Sequence, residues 1–137
     1  MAFADPATGR NIVDSGRGTR PGTVTLAEAC KVGDVLGYSS GWKRALATTA
    51  GVIQGRLVAL IGGATGDVVP ISPNPVIGGY TGATPGNPVY VAEGTDYGKI
   101  TETIPTTSGD ATTAIGVVLS ATEVLLYLNS RADSTAA

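Results

Sequence analysis

The sequence contains no histidine and a single cysteine, Cys30, among its 137 residues. Histidine is the side chain that most often carries protons near neutral pH and most often binds metals. One cysteine forms neither an internal disulfide nor a zinc site. These absences exclude Ser-His-Asp and Cys-His catalytic arrangements, and they predict a protein with no metal and no cofactor.

Charged residues are also scarce, at 15% of the chain against about 25% in a typical globular domain. Nine basic and eleven acidic residues give a net charge of −2 without a basic cluster. Direct binding of nucleic acid is therefore not expected, since phosphate neutralisation needs grouped Lys and Arg. No apolar run approaches the roughly 20 residues that span a bilayer, so no membrane partner is expected. Met1–Arg10 lacks the apolar stretch of a secretory leader.

Aromatic residues make up only 5% of the chain, and no catalytic motif accompanies them. A P-loop and a Gly-x-Ser-x-Gly elbow are both absent from the sequence. Asp67, Asp96 and Asp110 lie near glycines, where Asp is favoured in turns because its side chain bonds the local backbone. Paired carboxylates of the glycosidase type are usually accompanied by more stacking aromatics than this chain has. We therefore expect no enzymatic activity and no small-molecule substrate.

Glycine, with 20 residues, and abundant threonine and valine are what the chain does contain. This composition is typical of many short strands joined by tight turns. The sequence therefore predicts an all-β fold. The predicted strands are Thr23–Leu26, Val35–Ser39, Lys43–Thr48, Gln54–Leu60, Val68–Ser72, Pro88–Ala92, Lys99–Thr103, Ala114–Ser120 and Val124–Asn129.

The strand region contains two similar segments. Lys31–Tyr38 matches Thr84–Val91 at an offset of 53 residues, and Lys43 then matches Lys99. Gly55–Leu60 matches Gly116–Ala121 at an offset of 61 residues, and Gly66–Ile71 parallels Thr122–Tyr127. A duplication predicts one small β-barrel or β-tulip-like domain over residues 23–129, with similar halves at 23–74 and 77–129. Chance similarity among Gly- and Val-rich strands is the alternative.

The two ends of the chain differ from this region. Residues 1–22 contain few large apolar side chains, too few for a packed element. They are predicted as an extended N-terminal arm that is either frayed or ordered by a partner, and that can be removed without loss of the fold. Residues 130–137 are predicted as a flexible tail.

The interface candidates are the arm's arginines and apolar residues together with isolated aromatic positions. Arginine forks recognise carboxylates, and Trp, Tyr and Arg are enriched at binding hot spots. Trp42, the lone tryptophan, is either a buried anchor that closes the barrel or an interface residue. Cys30 is predicted to be a small buried hydrophobe. The candidates for contacts with a capsid or another subunit are Phe3, Arg10, Ile12, Arg17, Arg20, Trp42, Arg44 and Tyr80.

A longer string in the second half resembles a known family. It comprises Gly86–Val91, Gly98–Thr101, Thr106–Asp110, Ile115–Ser120 and Val124–Leu126. The string is similar to the small all-β decoration (cement) proteins of tailed bacteriophage heads. The resemblance covers roughly Thr23–Asn129 and is strongest over Thr84–Leu128. Part of it encodes turns and strand openings that many small β-barrels share.

The resemblance implies a non-enzymatic virion protein, made in the host cytoplasm, that binds the outer surface of a mature head. Its implied partners are the major capsid protein and two further copies in a homotrimer at three-fold positions. The implied function is stabilisation of the capsid lattice. The alternative is a head-fibre or other virion β-module with an adhesive or glycan-binding role.

Overall fold

A computed structural model describes residues 2–16, 22–128 and 132–137 of the chain. Within these ranges it contains eleven strands and one short 3₁₀ turn, Thr49–Gly51, so the predicted all-β class is confirmed. The strands are β1 (Asn11–Asp14), β2 (Gly22–Thr25), β3 (Val35–Tyr38), β4 (Trp42–Arg44), β5 (Leu57–Ala59), β6 (Val68–Ser72), β7 (Val76–Gly78), β8 (Pro88–Val91), β9 (Ile100–Thr101), β10 (Gly116–Val118) and β11 (Glu123–Leu126).

The strands form two antiparallel sheets with a shared topology. The five-stranded sheet has the order β2-β6-β5-β3-β4, and the six-stranded sheet has the order β1-β7-β11-β10-β8-β9. Each half contributes five strands, β2–β6 and β7–β11, and β1 is an addition to the second sheet. When the five strands of each half are numbered along the chain, both sheets have the spatial order first, fifth, fourth, second, third. The two halves that the sequence similarity predicts therefore have the same strand arrangement.

The positions of equivalent strands in the two halves agree with the sequence match for β3 and β8 but not for β5 and β10. Strands β3 and β8 lie 53 residues apart, as the match predicts. In the turns before them, Gly33 N–H donates to Ala59 O at 2.9 Å and Gly86 N–H donates to Val118 O at 2.8 Å. These bonds equate Ala59 with Val118, so the predicted offset of 61 between β5 and β10 is wrong by two residues. The match aligned Gly55 with Gly116, but Gly55 precedes its strand and Gly116 lies within one.

The arm contains a strand that the sequence prediction missed. Strand β1 pairs with β7, with Ile12 opposite Ile77, and β7 itself was also unpredicted. Ile12 packs against the core, and Arg10 is only 5% exposed. The prediction that residues before 22 hold no packed element is therefore wrong for the described residues 2–16. An edge strand needs few apolar residues of its own when its partner supplies most of the buried surface.

The apolar side chains form a large and a small cluster. The large cluster lies between the sheets, where Ile77, Val89 and Val124 of the six-stranded sheet meet Val35 and Val58 of the five-stranded sheet. Burial of each such side chain stabilises the fold by about 1.5–3 kcal/mol. The small cluster lies on the other face of the five-stranded sheet and comprises Leu26, Cys30, Leu36, Ala59, Val69 and Ile71.

The two sheets differ in what lies at their edges. The five-stranded sheet curls as a half-barrel until its edges meet: Leu26 and Trp42 form a parallel bridge, and Ala27 N–H donates to Trp42 O at 2.9 Å. On the six-stranded sheet the arm lies along both edges. Strand β1 pairs with β7, and Phe3 N–H donates to Ile100 O of β9 at 3.0 Å. The arm therefore contacts both ends of the six-stranded sheet, and β1 becomes its edge strand beside β7.

The described part of the C-terminal tail, which was predicted to be flexible, is hydrogen-bonded to the segment between β9 and β10. Thr135 forms a bridge with Ala111, and Ala136 N–H donates to Asp110 O at 2.8 Å. Asp133 pairs with Arg56, which lowers the pKa of the Asp133 carboxyl. Backbone hydrogen bonds therefore hold residues 132–137, although their sequence has no strand pattern. Residues 129–131, including the predicted end of the last strand, lie outside the described residues.

One glycine substitution tests the close packing of the second half. A Cβ added at Gly116 would lie 2.3 Å from the carbonyl oxygen of Leu125, which cannot move without breaking the β10–β11 pairing. We expect Gly116→Ala to lower the free energy of unfolding by about 1–3 kcal/mol. The matched control is Gly51→Ala, whose Cβ would meet no atom within 4 Å. Urea unfolding measures both, and equal effects would contradict the expectation.

Candidate interaction surface

Arg10 joins the arm to the first half of the domain. Its guanidinium forms ion pairs with Asp5, at 3.0 Å, and with Asp34, and it donates to Gly33 O at 3.1 Å. The second carboxylate oxygen of Asp34 accepts a hydrogen bond from Lys31 N–H at 2.8 Å. The Asp34 and Gly33 contacts offset the cost of burying this charge, whereas Arg10 Nε and Asp5 Oδ1 lie within ion-pair distance without forming a hydrogen bond. Burial acts to lower the pKa of Arg10, but the charge and hydrogen bond of Asp34 outweigh it and raise that pKa.

Four of the interface candidates meet inside the protein. Phe3 and Tyr80 stack with ring centroids 5.1 Å apart, and burial raises the pKa of Tyr80 to about 12. Phe3 and Ile12 are half-buried and pack against the large cluster. The side chains of Arg10 and Tyr80 are enclosed within the chain, so the prediction that these two contact a capsid or another subunit is corrected. Arg17 and Arg20 lie outside the described residues.

The other two candidates, Trp42 and Arg44, lie at the surface in what we call the aromatic–arginine cluster: Tyr38, Trp42, Arg44 and Tyr97. The rings of Tyr38 and Trp42 meet edge to face with centroids 5.5 Å apart, and the Arg44 guanidinium lies 5.2 Å from the centre of the Tyr97 ring. Tyr38 is 66% exposed and Tyr97 is 40% exposed. Contacts of both kinds stabilise exposed sites by about 0.5–1.5 kcal/mol.

A tight hairpin between β3 and β4 fixes the positions of Tyr38 and Trp42 relative to each other. Ser40 and Gly41 both have positive φ, and Ser39 N–H donates to Gly41 O at 2.9 Å. The resulting register places Tyr38 opposite Trp42 and Leu36 opposite Arg44. Sequence reasoning missed Tyr38, although pairing the predicted strands Val35–Ser39 and Lys43–Thr48 across a short turn would have placed it beside Trp42.

Glu28, which follows β2 at the opposite edge of the curled sheet, binds both the backbone and the side chain of Arg44. Glu28 Oε1 accepts one hydrogen bond from Arg44 N–H at 2.9 Å and another from its Nε at 3.0 Å. Trp42 is half-buried and packs against the small cluster where the sheet edges meet. This position agrees with the interpretation of Trp42 as an anchor that closes the sheet, and it leaves Tyr38 as the most exposed ring of the cluster.

Asp110 joins the two halves elsewhere, and within the second half its carboxyl group is paired with that of Glu93. Asp110 accepts hydrogen bonds from Thr49 N–H at 2.8 Å and from Thr49 Oγ1 at 2.5 Å. These bonds, with one from Glu93, lower the pKa of Asp110, and the hydrogen bond to Asp110 raises the pKa of Glu93. Within residues 2–16, 22–128 and 132–137, no three His, Cys, Asp or Glu side chains gather closely enough to hold a metal ion.

The carboxyl pair predicts a pH dependence of stability. The pKa of Glu93 in the folded protein is raised above its ordinary value of 4.5. The contribution of Glu93 to the free energy of unfolding is therefore complete at low pH and is lost as pH rises through the folded pKa. Asp110 acts in the opposite direction, because its lowered pKa makes it stabilising until pH falls through that value. We expect Glu93→Gln to reduce the loss of stability as pH rises above about 4.5.

Thermal unfolding from about pH 4 to pH 8 measures this dependence, since the range brackets the titration of a perturbed glutamate. Glu123→Gln, in β11, is the control. The same pH profile in the wild type and Glu93→Gln would contradict the role of the shared hydrogen bond.

Comparison with known proteins adds no identification: no family model, curated protein or solved structure matches the chain. In the part of the chain that the structure describes, no helix is long and apolar enough to cross a membrane.

Proposed function

We propose that this chain is a virion structural protein that binds the outer surface of a mature phage head and stabilises the capsid lattice without catalysis. Its partners in this proposal are the major capsid protein and two further copies in a homotrimer. The observation that carries the proposal is the aromatic–arginine cluster, which places Tyr38, Trp42 and Arg44 on one tight hairpin. These three residue types dominate binding hot spots.

Preorganisation supports the same proposal. The Ser40–Gly41 turn, the two Glu28 hydrogen bonds and the small cluster hold the rings before any partner arrives. A surface that is already ordered loses less conformational entropy on binding than a flexible one. The cluster therefore suits a contact with a fixed lattice better than a contact that forms by folding on a partner.

Stabilisation of the lattice would follow from mass action. A ligand that binds only the assembled form stabilises it by RT ln(1 + [L]/Kd), which is about 2.7 kcal/mol per site at a hundredfold excess over Kd. Simultaneous engagement of several linked copies adds avidity without new contacts. A small stabilisation at each site, summed over all the sites of a head, would therefore help the lattice to resist expansion from within.

Co-sedimentation with undecorated, expanded heads from the same genome tests the proposal. We expect saturable binding near one trimer per three-fold position and a raised melting temperature of the heads. Tyr38→Ala should weaken binding by about 30-fold, the effect of losing a hot spot of about 2 kcal/mol. Val68→Ala, which truncates a similarly exposed side chain outside the cluster, should leave binding unchanged.

Absence of binding to the heads would overturn the proposed function. The exposed Tyr38 ring favours one alternative, an adhesive or glycan-binding module of a head fibre, because sugars stack on exposed aromatic faces. Quenching or a shift of Trp42 fluorescence on adding glycans, with no binding to heads, would support that alternative.

A further inference from the structure

The C-terminal residues 132–137, which we call the tail segment, lie antiparallel to the segment between β9 and β10 and are hydrogen-bonded to it. Thr112 N–H donates to Ser134 O at 2.9 Å, and Gly109 N–H donates to Ala136 O at 2.8 Å. Main-chain hydrogen bonds of this kind are how many proteins bind an extended peptide at a strand edge. The tail segment therefore lies in the manner of a bound peptide.

Side chains around the tail segment add selectivity to this backbone pairing. Arg56, just before β5, donates from its two terminal nitrogens to the two carboxylate oxygens of Asp133, at 2.7 and 2.5 Å. Gln54 Nε2 donates to Ser134 O at 3.3 Å, and Thr113 Oγ1 accepts from Ser134 N–H at 2.8 Å. A bidentate pair of Arg and carboxylate gives geometric specificity as well as energy. The side chains of Gln54, Arg56 and Thr113 with the adjoining backbone, which we call the tail site, fit an extended segment that carries a carboxylate.

The tail segment adds nothing to the apolar core. None of its residues belongs to either cluster, and all six are exposed except Ala136, which is half-buried. Leu128, in contrast, is 5% exposed and belongs to the large cluster. In an isolated copy, the chain's own tail segment is the one at hand. The hydrogen bonds and the ion pair of the tail site would be the same for an identical segment from another copy.

We propose that the tail segment of a second copy occupies the tail site, so that exchanged tails link copies of this chain. Exchange of an identical element between protomers is a low-cost route to oligomers, because it preserves every contact of the element. Only three residues, 129–131, separate Leu128 from the tail segment in the sequence, and short connections favour exchange. Each copy gives one tail and accepts one, so this head-to-tail contact is compatible with a closed ring of copies. The inference goes beyond the proposed function, since it needs no capsid.

Reciprocal charge reversal in the full chain tests the inference. Arg56→Glu and Asp133→Arg each place like charges in the tail site, whether a variant uses its own tail or that of an identical copy. A mixture of the two variants restores both ion pairs, but only between unlike copies. We expect sedimentation velocity to show association about tenfold tighter in the mixture than in either variant alone, since two ion pairs of this exposure together contribute about 1.4 kcal/mol.

Two controls accompany the mixture. Asp96→Arg reverses a carboxylate outside the tail site whose side chain is 38% exposed, against 39% for Asp133. Mixed with Arg56→Glu, it should give no gain in association. A double variant that carries both Arg56→Glu and Asp133→Arg should associate as the wild type does, because every copy then has a matched site and tail.

Three results would overturn the inference. A mixture that associates no more tightly than its components would show that each tail stays in its own copy. An equal gain with Asp96→Arg would show general charge attraction instead of a defined site. Head binding that is lost in both single variants, with no association in the mixture, would assign the tail site to a capsid segment. The proposed function is tested separately, since a mixture that associates but does not bind heads would overturn that function and retain the exchange.

Discussion

Replacing Arg10 by alanine is expected to lower the free energy of unfolding by about 3–5 kcal/mol, the cost of leaving one partner of a buried ion pair unpaired. Asp34 is 3% exposed and would lose the guanidinium that now faces it. Gly33 O would also lose its hydrogen bond from Arg10. Urea unfolding followed by Trp42 fluorescence measures the loss.

Arg44→Ala is the matched control for Arg10→Ala. Its ion pair with Glu28 joins side chains that are about one-third exposed, and such pairs contribute about 0–1 kcal/mol. The double substitution of Arg10 and Asp34 by alanine should cost less than the sum of the two single changes, because it removes both buried charges. Equal effects of Arg10→Ala and Arg44→Ala would show that the buried pair does not fix the arm.

Deletion of residues 2–16 is expected to destabilise the protein by more than Arg10→Ala alone. It removes the Arg10 ion pairs, the packing of Phe3 and Ile12 on the large cluster, and the β1 pairing with β7. These losses together approach the whole stability of a typical domain, about 5–15 kcal/mol. The sequence-based expectation that the arm can be removed without loss of the fold is therefore replaced by an expected unfolding of the truncated chain.

Circular dichroism and urea unfolding of the truncated protein measure this effect. Deletion of residues 132–137 is the control, since it removes a partly exposed Arg56–Asp133 pair and a few backbone bonds. We expect that second protein to fold. A folded arm deletion with nearly wild-type stability would return the arm to the role of a detachable clasp for a partner.

The sequence predicted the fold class and much of the strand set because turns and alternation are local properties. Glycines at Gly33 and Gly86 mark equivalent turns, and the strands that follow them begin at equivalent positions. The prediction failed where a strand depends on its partner. Strand β1 has one substantial inward residue, Ile12, and forms because β7 presents an open edge to it.

The candidate site was likewise predicted only in part. Trp42 and Arg44 were predicted from residue type, but Tyr38 and Tyr97 join them only through the hairpin register and the approach of the second half. Arg10 was predicted as a surface fork, since an arginine among glycines has no local signal for burial. Its burial depends on Asp34, 24 residues away, and on Asp5 within the arm.

Composition and turn spacing are local properties of the chain, and they were enough to predict an all-β protein of two similar halves without histidine, a disulfide or a catalytic motif. Which sheet edges meet and which arginine is buried became visible only in the folded protein. Those outcomes depend on contacts between residues far apart in sequence.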